Sequence, residues 1–244
     1  MLAVVSFIAV LLGWIVQGFL GIGSGIIATA ILLLVADAKT VVVSLAPVAL
    51  IGTGYLALIN FRGFVLLREV LILSLTSLLG IFIGSYLLKN LPSDIILVVF
   101  GTIVILTGLY DLYSQRKRLT IRAKHRALLA SVVGFWGGVI SALVGGAGPL
   151  YAFFFNQISL DKQDFKFVIS FFFFLLNIER VVVYTLSSLD SYFNFDIILP
   201  SVIAVFLGAY IGHWLFKKVD TKKFKEIVSV SIILFGIYFV FKGL

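Results

Sequence analysis

Residues 18–25 read Gly18-Phe19-Leu20-Gly21-Ile22-Gly23-Ser24-Gly25 and interrupt an apolar stretch near the start of the chain. A second interruption, Gly145-Gly146-Ala147-Gly148-Pro149, lies in the second half. A glycine inside a helix costs about 1 kcal/mol relative to alanine and a proline about 3 kcal/mol, so both stretches predict breaks between helices. Inside a membrane, the freed backbone groups must be buried in protein or line a wet cavity. Paired breaks at corresponding positions of two halves therefore point to a substrate site.

The composition is that of an integral membrane protein. The mean hydropathy is +1.19, and 61% of residues are hydrophobic while 12% are charged. Soluble domains carry roughly twice as many charges, about 25%. Apolar runs long enough to cross a bilayer recur along the chain, so we expect the lipid bilayer to surround it. The net charge of +8 comes from basic residues between these runs, which indicates orientation in the membrane and argues against nucleic-acid binding.

The sequence offers no features of an enzyme or of a cofactor protein. There is no cysteine, and the two histidines, His125 and His213, form no ligand cluster, so we expect neither a metal site nor a cofactor. No Ser/His, His/Glu or paired-aspartate arrangement occurs in the apolar segments, so we expect no catalysis. The first apolar segment has no basic residue before it and continues into another apolar stretch. We therefore expect it to be retained and not cleaved as a signal peptide.

The apolar segments predict an all-α protein with two similar halves. In each half, two helices flank the break as a hairpin, and three membrane-spanning helices follow. The predicted helices are residues 2–20, 26–36, 40–60, 70–88 and 94–113, then 127–144, 150–158, 165–188, 197–216 and 226–242. The corresponding division is a first membrane repeat (1–113), a basic cytoplasmic linker (114–126) and a second membrane repeat (127–244).

Residue identities support duplication of an ancestral half. Gly80-Ile81-Phe82-Ile83-Gly84 matches Gly208-Ala209-Tyr210-Ile211-Gly212 at an offset of 128 positions, and Lys89 matches Lys217 in the same register. The two glycine breaks coincide at an offset of 124, which places Gly21 on Gly145. For the two Gly-x-x-x-Gly segments we expect close helix packing, the usual role of such spacing in membranes.

The distribution of basic residues predicts that the second repeat is inverted. Most of the 19 lysines and arginines fall in connections that would share the cytoplasmic side if each half crossed the membrane an odd number of times. A hairpin returns to its starting side, so the odd number comes from the three other helices of each half. Charge leaves open whether the hairpins are re-entrant or fully spanning.

Arg180 lies within an apolar helix, beside Glu179 and three residues after Asn177. A charge at membrane depth is costly and usually faces a cavity or a partner. The planar donors of arginine match the oxygens of carboxylate, phosphate or sulfonate groups, so Arg180 and Asn177 are candidate ligands of an anion. The alternatives are a structural role beside Glu179 and an arginine reaching the membrane surface. Glu179 is a candidate for proton coupling.

The glycine breaks are the second candidate site. Unwound helix ends expose backbone N–H groups with a partial positive charge, which favour anions without a charged side chain. The hydroxyl of Ser24 and the amide of Gln17 could contribute, and the alternative is simple helix packing. The candidate substrate-binding residues of the breaks are Gly21, Gly23, Ser24, Gly25, Gly145, Gly146 and Gly148.

The first break, its mate Ala142-Leu143-Val144-Gly145-Gly146-Ala147-Gly148-Pro149 and the paired Gly-x-x-x-Gly segments before Lys89 and Lys217 resemble the TauE/SafE sulfite exporter family of membrane permeases. The resemblance implies transport of small sulfur-containing anions, such as sulfite or sulfoacetate, across a prokaryotic plasma membrane. We therefore expect a multi-pass secondary transporter that works by alternating access. The alternatives are an anion channel and a transporter of another small oxyanion or carboxylate. The direction of transport, the coupling ion and the formation of a homodimer stay open.

Overall fold

The computed structural model describes residues 1–61, 63–114, 125–156, 158, 160, 162–216, 233–234, 237 and 240–241. This part of the chain is helical and contains no strand. Most of the predicted linker and most of the predicted last helix, residues 226–242, lie outside the described residues. The helices are α1 (Leu2–Leu20), α2 (Ser24–Leu32), α3 (Ala38–Ile59), α4 (Leu67–Asn90), α5 (Ser93–Ser114), α6 (Arg126–Val144), α7 (Gly148–Asn156), α8 (Lys162–Leu186) and α9 (Phe195–Phe216), with a short 3-10 helix at Asp190–Tyr192.

Six of the described helices, α1, α3, α4, α6, α8 and α9, are long and apolar enough to cross a membrane. The predicted all-α integral membrane class is therefore confirmed. The helices after each break are different, because α2 and α7 have nine residues each. Nine residues rise about 14 Å, less than half of the roughly 30 Å hydrocarbon core. Neither α2 nor α7 can cross a bilayer alone, which favours the re-entrant form of the hairpins.

The predicted bounds of the first short helix were wrong at both ends. The helix begins at Ser24 and not at residue 26, because Gly23 adopts the left-handed conformation and serves as its N-cap. It ends at Leu32 and not at residue 36, because the backbone from Leu33 to Ala36 forms a turn. Hydropathy could not show this end, since the turn is as apolar as the helix.

The two Gly-x-x-x-Gly segments pack helices closely, as predicted. A Cβ atom placed on Gly80 or Gly84 of α4 would clash with the backbone carbonyl oxygens of Phe135 or Val139 of α6. From Gly80 to Gly84 along α4, the contact moves from Phe135 to Val139 along α6. The two helices therefore run parallel.

The second segment makes the same kind of contact between another pair of helices. A Cβ on Gly208 of α9 would lie 2.7 Å from the carbonyl oxygen of Leu11 in α1, and one on Gly212 would clash with that of Ile15. From Gly208 to Gly212 along α9, the contact moves from Leu11 to Ile15 along α1, so these helices also run parallel. Each glycine pair therefore joins one half of the chain to the other.

One face of the molecule gathers the start of α3, the end of α4, the end of α8 and the start of α9. Lys39 Nζ donates to the carbonyl of Lys89 at 2.9 Å, and Lys89 Nζ donates to that of Ser187 at 2.9 Å. The backbone N–H of Asn194 donates to Ser44 Oγ at 2.9 Å. With the parallel pairs above, α1, α3 and α9 start at this face, whereas α4, α6 and α8 run toward it. Corresponding helices of the two halves thus run in opposite directions, which is the arrangement that an inverted duplication requires.

We predict that Gly80→Ala and Gly212→Ala each lower the free energy of unfolding by about 1–3 kcal/mol, because the added methyl group meets rigid backbone. Thermal unfolding of the purified protein in detergent measures the effect. Gly54→Ala is the matched control, since its methyl would meet only the Phe174 ring, at 3.1 Å, and a side chain can move. If the two test variants are as stable as the control, the close packing of these helices is wrong.

Candidate functional site

The two glycine breaks meet at a cavity of about 50 Å³ between the halves of the chain. A water molecule needs roughly 10–15 Å³ on this measure, so the space fits a few waters or one small oxyanion. The lining combines both breaks with α3 and α8. It consists of Gln17, Gly23, Ser24, Gly25, Ile26, Ala49, Thr53, Ser141, Gly145, Gly146, Ala147, Gly148, Phe173, Leu176, Asn177 and Arg180.

The first break is built by two left-handed glycines and one amide side chain. Gly21 (φ 84°) ends α1, and Gly23 (φ 113°) precedes α2; side chains other than glycine's rarely tolerate such φ values. Gln17 bridges the gap, because its Nε2 donates to the carbonyl of Gly21 at 3.0 Å and its Oε1 accepts from the N–H of Ser24 at 3.0 Å. The amide of Gln17 therefore partners main-chain groups that unwinding has freed.

The second break follows the same plan with fewer side chains. Gly145 (φ 77°) ends α6, and its N–H donates to the carbonyl of Ser141 at 3.0 Å. Helix α7 then begins at Gly148, with Pro149 at its second position. Proline is tolerated in the first turn, since an N–H there has no partner within the helix.

The two breaks touch through their backbones. A Cβ on Gly25 would clash with the carbonyl oxygen of Gly145, and a Cβ on Gly146 would lie 3.3 Å from the backbone nitrogen of Ile26. The N-termini of α2 and α7 both border the cavity. The N-cap of α2 is Gly23, which has no side chain to accept from the first-turn N–H groups. Both short helices therefore present partial positive charge to the same small space.

Arg180 adds a full positive charge to the cavity wall. The residue is 2% exposed. Its Nη1 donates to Asn177 Oδ1 at 3.0 Å, its Nη2 to the carbonyl of Val42 at 3.3 Å, and its Nε to Tyr184 Oη at 3.4 Å. All these acceptors are neutral, and no carboxylate among the described residues forms an ion pair with Arg180. A buried charge of this kind is expensive unless it gains a partner of opposite sign.

The lining residues come in corresponding pairs from the two halves. Asn177 of α8 donates from Nδ2 to Thr53 Oγ1 of α3 at 3.5 Å, and these residues lie 124 positions apart. The same offset relates other lining residues, which are Gln17 and Ser141, Gly23 and Ala147, Ser24 and Gly148, and Ala49 and Phe173. The register that aligns the breaks in sequence therefore continues through α3 and α8. The cavity lies where the two halves of the chain face each other.

Eight of the predicted binding residues line this cavity, namely Gly23, Ser24, Gly25, Gly145, Gly146, Gly148, Asn177 and Arg180. Two candidates lie elsewhere. Gly21 turns the chain at the end of α1 and would meet Ile169 of α8 if it carried a Cβ. Glu179 points to α4, where its Oε1 accepts from Ser74 Oγ.

Three cavity residues differ from the expectation of the sequence. Gln17 is a candidate anion ligand by its sequence, whereas both polar atoms of this amide hydrogen-bond the first break. Ser141 and Thr53 are not among the predicted binding residues. The 124-residue register would have found both, because Ser141 is the mate of Gln17 and Thr53 is the mate of Asn177. Among the described residues, no group of three or more His, Cys, Asp or Glu could hold a metal ion.

The model of the family described as "Sulfite exporter TauE/SafE" matches residues 5–239, nearly the whole chain. The chain belongs to the TauE/SafE sulfite exporter family. As a TauE/SafE protein it is a multi-pass membrane transporter, which agrees with its six apolar helices. No curated protein and no solved structure matched the chain.

We predict that Gln17→Met destabilises this TauE/SafE protein by about 2–4 kcal/mol, because the carbonyl of Gly21 and the N–H of Ser24 both lose their partner. Thermal unfolding in detergent measures the loss. Ser6→Ala is the control on the same helix, since its hydroxyl bonds only to the carbonyl of Leu2 four residues earlier. Equal stability of the two variants would mean that the Gln17 amide does not hold the break together.

Proposed function

We propose that this TauE/SafE protein is a secondary transporter that binds a small sulfur-containing oxyanion, such as sulfite, in the cavity between the two glycine breaks. The observation that carries the proposal is the convergence of both breaks and Arg180 on one small cavity. The proposed ligands are backbone groups at the N-termini of α2 and α7, together with Arg180 and Asn177. The proposed location is the plasma membrane of a prokaryote, which is what the family resemblance implies.

The electrostatics of the cavity support an anion over a cation or a neutral solute. Two helix N-termini and one guanidinium border the space, and no Asp or Glu occurs among the described residues that line it. In a site of low dielectric, these charges act on a bound ion with little screening. The planar guanidinium matches the oxygens of sulfite, sulfonate or carboxylate groups.

The size of the cavity supports a small substrate. About 50 Å³ suits an ion with one sulfur and three oxygens better than a longer organosulfonate. Sulfoacetate carries a second charged group, which would need the cavity to widen or a second cation to approach. Sulfite and monovalent sulfonates of similar size are therefore the first substrates to test.

The position of the cavity supports alternating access. Its lining comes from both halves, and the long helices pack across the halves as the parallel pairs α1–α9 and α4–α6. Rocking of one half against the other would expose a site at this interface first to one side and then to the other. An anion channel is the second candidate, because the breaks and Arg180 would equally favour an anion in an open pore.

We predict that Arg180→Gln abolishes exchange of radiolabelled sulfite in proteoliposomes, whereas Arg180→Lys retains a reduced rate, because lysine keeps the charge but loses the bidentate geometry. Counterflow without ion gradients is the measurement. Arg68→Gln is the matched control, since Arg68 is exposed at the start of α4.

Arg180 also holds the carbonyl of Val42, so each variant is first tested for folding by thermal unfolding. If the unfolding midpoint of Arg180→Gln is lowered, Arg180→Lys and Asn177→Asp are compared instead. Asn177→Asp places a negative charge in the cavity and should also abolish sulfite exchange. Exchange at the rate of Arg68→Gln in a folded Arg180→Gln variant would refute the proposed role.

The carrier and the channel differ in how flux depends on concentration. A carrier is predicted to show sulfite flux that saturates, and unlabelled sulfite on the opposite side should accelerate it. A channel would instead give current that rises with driving force and shows no such acceleration. Sulfite, sulfate, methanesulfonate and acetate compared as competitors of the labelled flux would rank the candidate substrates.

A further inference from the structure

Glu179 lies outside the cavity but is the sequence neighbour of Arg180, which lines it. Its carboxyl group is half-buried between α8 and α4, where Oε1 accepts from Ser74 Oγ. The second oxygen, Oε2, is buried and has no hydrogen-bond partner. A charged carboxylate with a buried oxygen that lacks a donor is costly, whereas a protonated acid in the same place loses less.

A second hydroxyl contact joins α4 to α7, the helix that follows the second break. Ser77 lies one turn after Ser74 on α4, its Oγ lies 3.1 Å from Tyr151 Oη, and it also donates to the carbonyl of Gly134 at 3.0 Å. Tyr151 belongs to α7 and follows the cavity residue Gly148 by three positions.

The groups that face Glu179 from the packed helices are few in the described part of the chain. Helix α4 contributes the hydroxyl of Ser74, and α7 contributes the phenol of Tyr151. The titratable residues of α3 are occupied elsewhere, because Lys39 bonds to the carbonyl of Lys89 and the ring of Tyr55 packs on Phe206.

On its own helix, Glu179 has two titratable neighbours, Arg180 and Tyr184. Both are tied to the cavity side, where Tyr184 Oη donates to the carbonyl of Ala142 at 2.6 Å. Arg180 is therefore the one charged group adjacent to Glu179 whose compensation changes when the cavity fills.

We propose that Glu179 is the proton-coupling residue of this transporter and that it carries one proton together with the anion. The inference rests on the proposed function, because it needs an anion beside Arg180. When the anion binds, it compensates Arg180, and a neighbouring carboxylate would then face a like charge in low dielectric. The protonated acid is favoured in that state. When the anion leaves, the uncompensated guanidinium favours the carboxylate, and the proton is released.

The contact between Glu179 and Ser74 gives this uptake and release of the proton a structural basis. Ser74 belongs to the first half of the chain and Glu179 to the second, so the contact crosses the interface at which the halves would rock. Movement of α4 against α8 would separate the two groups and expose the carboxyl to water. The carboxyl would then take up its proton on one side of the membrane and release it on the other. Because anion and proton bind together, they move in the same direction.

The test compares two modes of sulfite movement in proteoliposomes. Counterflow without a pH gradient reports translocation alone, whereas accumulation driven by an acidic outside reports coupling. The variants are Glu179→Gln, which keeps shape without titration, and Glu69→Gln as the matched control at the start of α4. Protein-free liposomes at slightly alkaline pH correct for leakage of the uncharged acid form.

For one proton per monovalent anion, a gradient of one pH unit can drive accumulation of up to about tenfold, since 1.4 kcal/mol corresponds to a factor of ten. Wild type and Glu69→Gln are expected to approach this accumulation. Glu179→Gln is expected to accumulate no anion beyond the distribution that is reached without proton coupling, while it keeps its counterflow. A pH-sensitive dye inside the vesicles should report more protons entering per sulfite in wild type than in Glu179→Gln, because hydrogen sulfite itself releases a proton inside in both.

The other outcomes separate the inference from the proposed function. Counterflow without any gradient-driven accumulation in wild type would overturn the coupling and leave the transporter intact. Accumulation by Glu179→Gln equal to that of Glu69→Gln would overturn the role of Glu179. Loss of counterflow in a folded Glu179→Gln would overturn it too, because the residue would then be required for translocation itself. Absence of counterflow in wild type would refute the proposed function.

Discussion

Unwound main chain within a membrane must find its partners inside the protein, and this constraint organises the structure. Each break frees backbone N–H and carbonyl groups that lipid cannot satisfy. In the first break, the amide of Gln17 satisfies one donor and one acceptor, and Gly25 lies directly against Gly145 of the second break. Such contact is open only to glycine, because a Cβ at Gly25 would strike the carbonyl of Gly145. The N-termini of α2 and α7 border one cavity, where an anion can serve as a partner of main-chain N–H groups.

Helix α8 joins both breaks and accounts for the asymmetry of a duplicated architecture. Gly18 and Ala142 occupy corresponding positions near the ends of α1 and α6, and each carbonyl accepts a hydrogen bond from a side chain of α8. Lys166 Nζ reaches the first at 2.7 Å, and Tyr184 Oη reaches the second at 2.6 Å. Arg180 adds the charge between them. The mate of α8 in the first half, α3, supplies the cavity with Ala49 and Thr53 and no charged side chain. The two breaks fit the predicted duplication, while the charged side chain that lines the cavity comes from α8 and has no counterpart on α3.

The sequence was sufficient for the order of the described helices and for half of the cavity lining, because hydropathy reports apolar segments and clustered glycines report breaks. The sequence was insufficient where the direction of a side chain determines which group it contacts. Gln17 could as well have pointed into the cavity as across the gap, and only the left-handed φ angles of Gly21 and Gly23 bring Ser24 within its reach. Likewise, the sequence indicates that Glu179 and Arg180 point about 100° apart on a helix, but it does not show that the carboxyl of Glu179 meets Ser74. These positions depend on backbone geometry that composition does not encode.

We propose that the two breaks and Arg180 together hold one anion. Anomalous diffraction from crystals of the protein soaked in selenite, the selenium analogue of sulfite, tests this binding site. One dominant selenium peak is expected between the N-termini of α2 and α7, within contact of the Arg180 guanidinium, and it should be lost in crystals of Arg180→Gln. A cavity without a peak, while selenium binds only at exposed basic residues, would rule out this binding site.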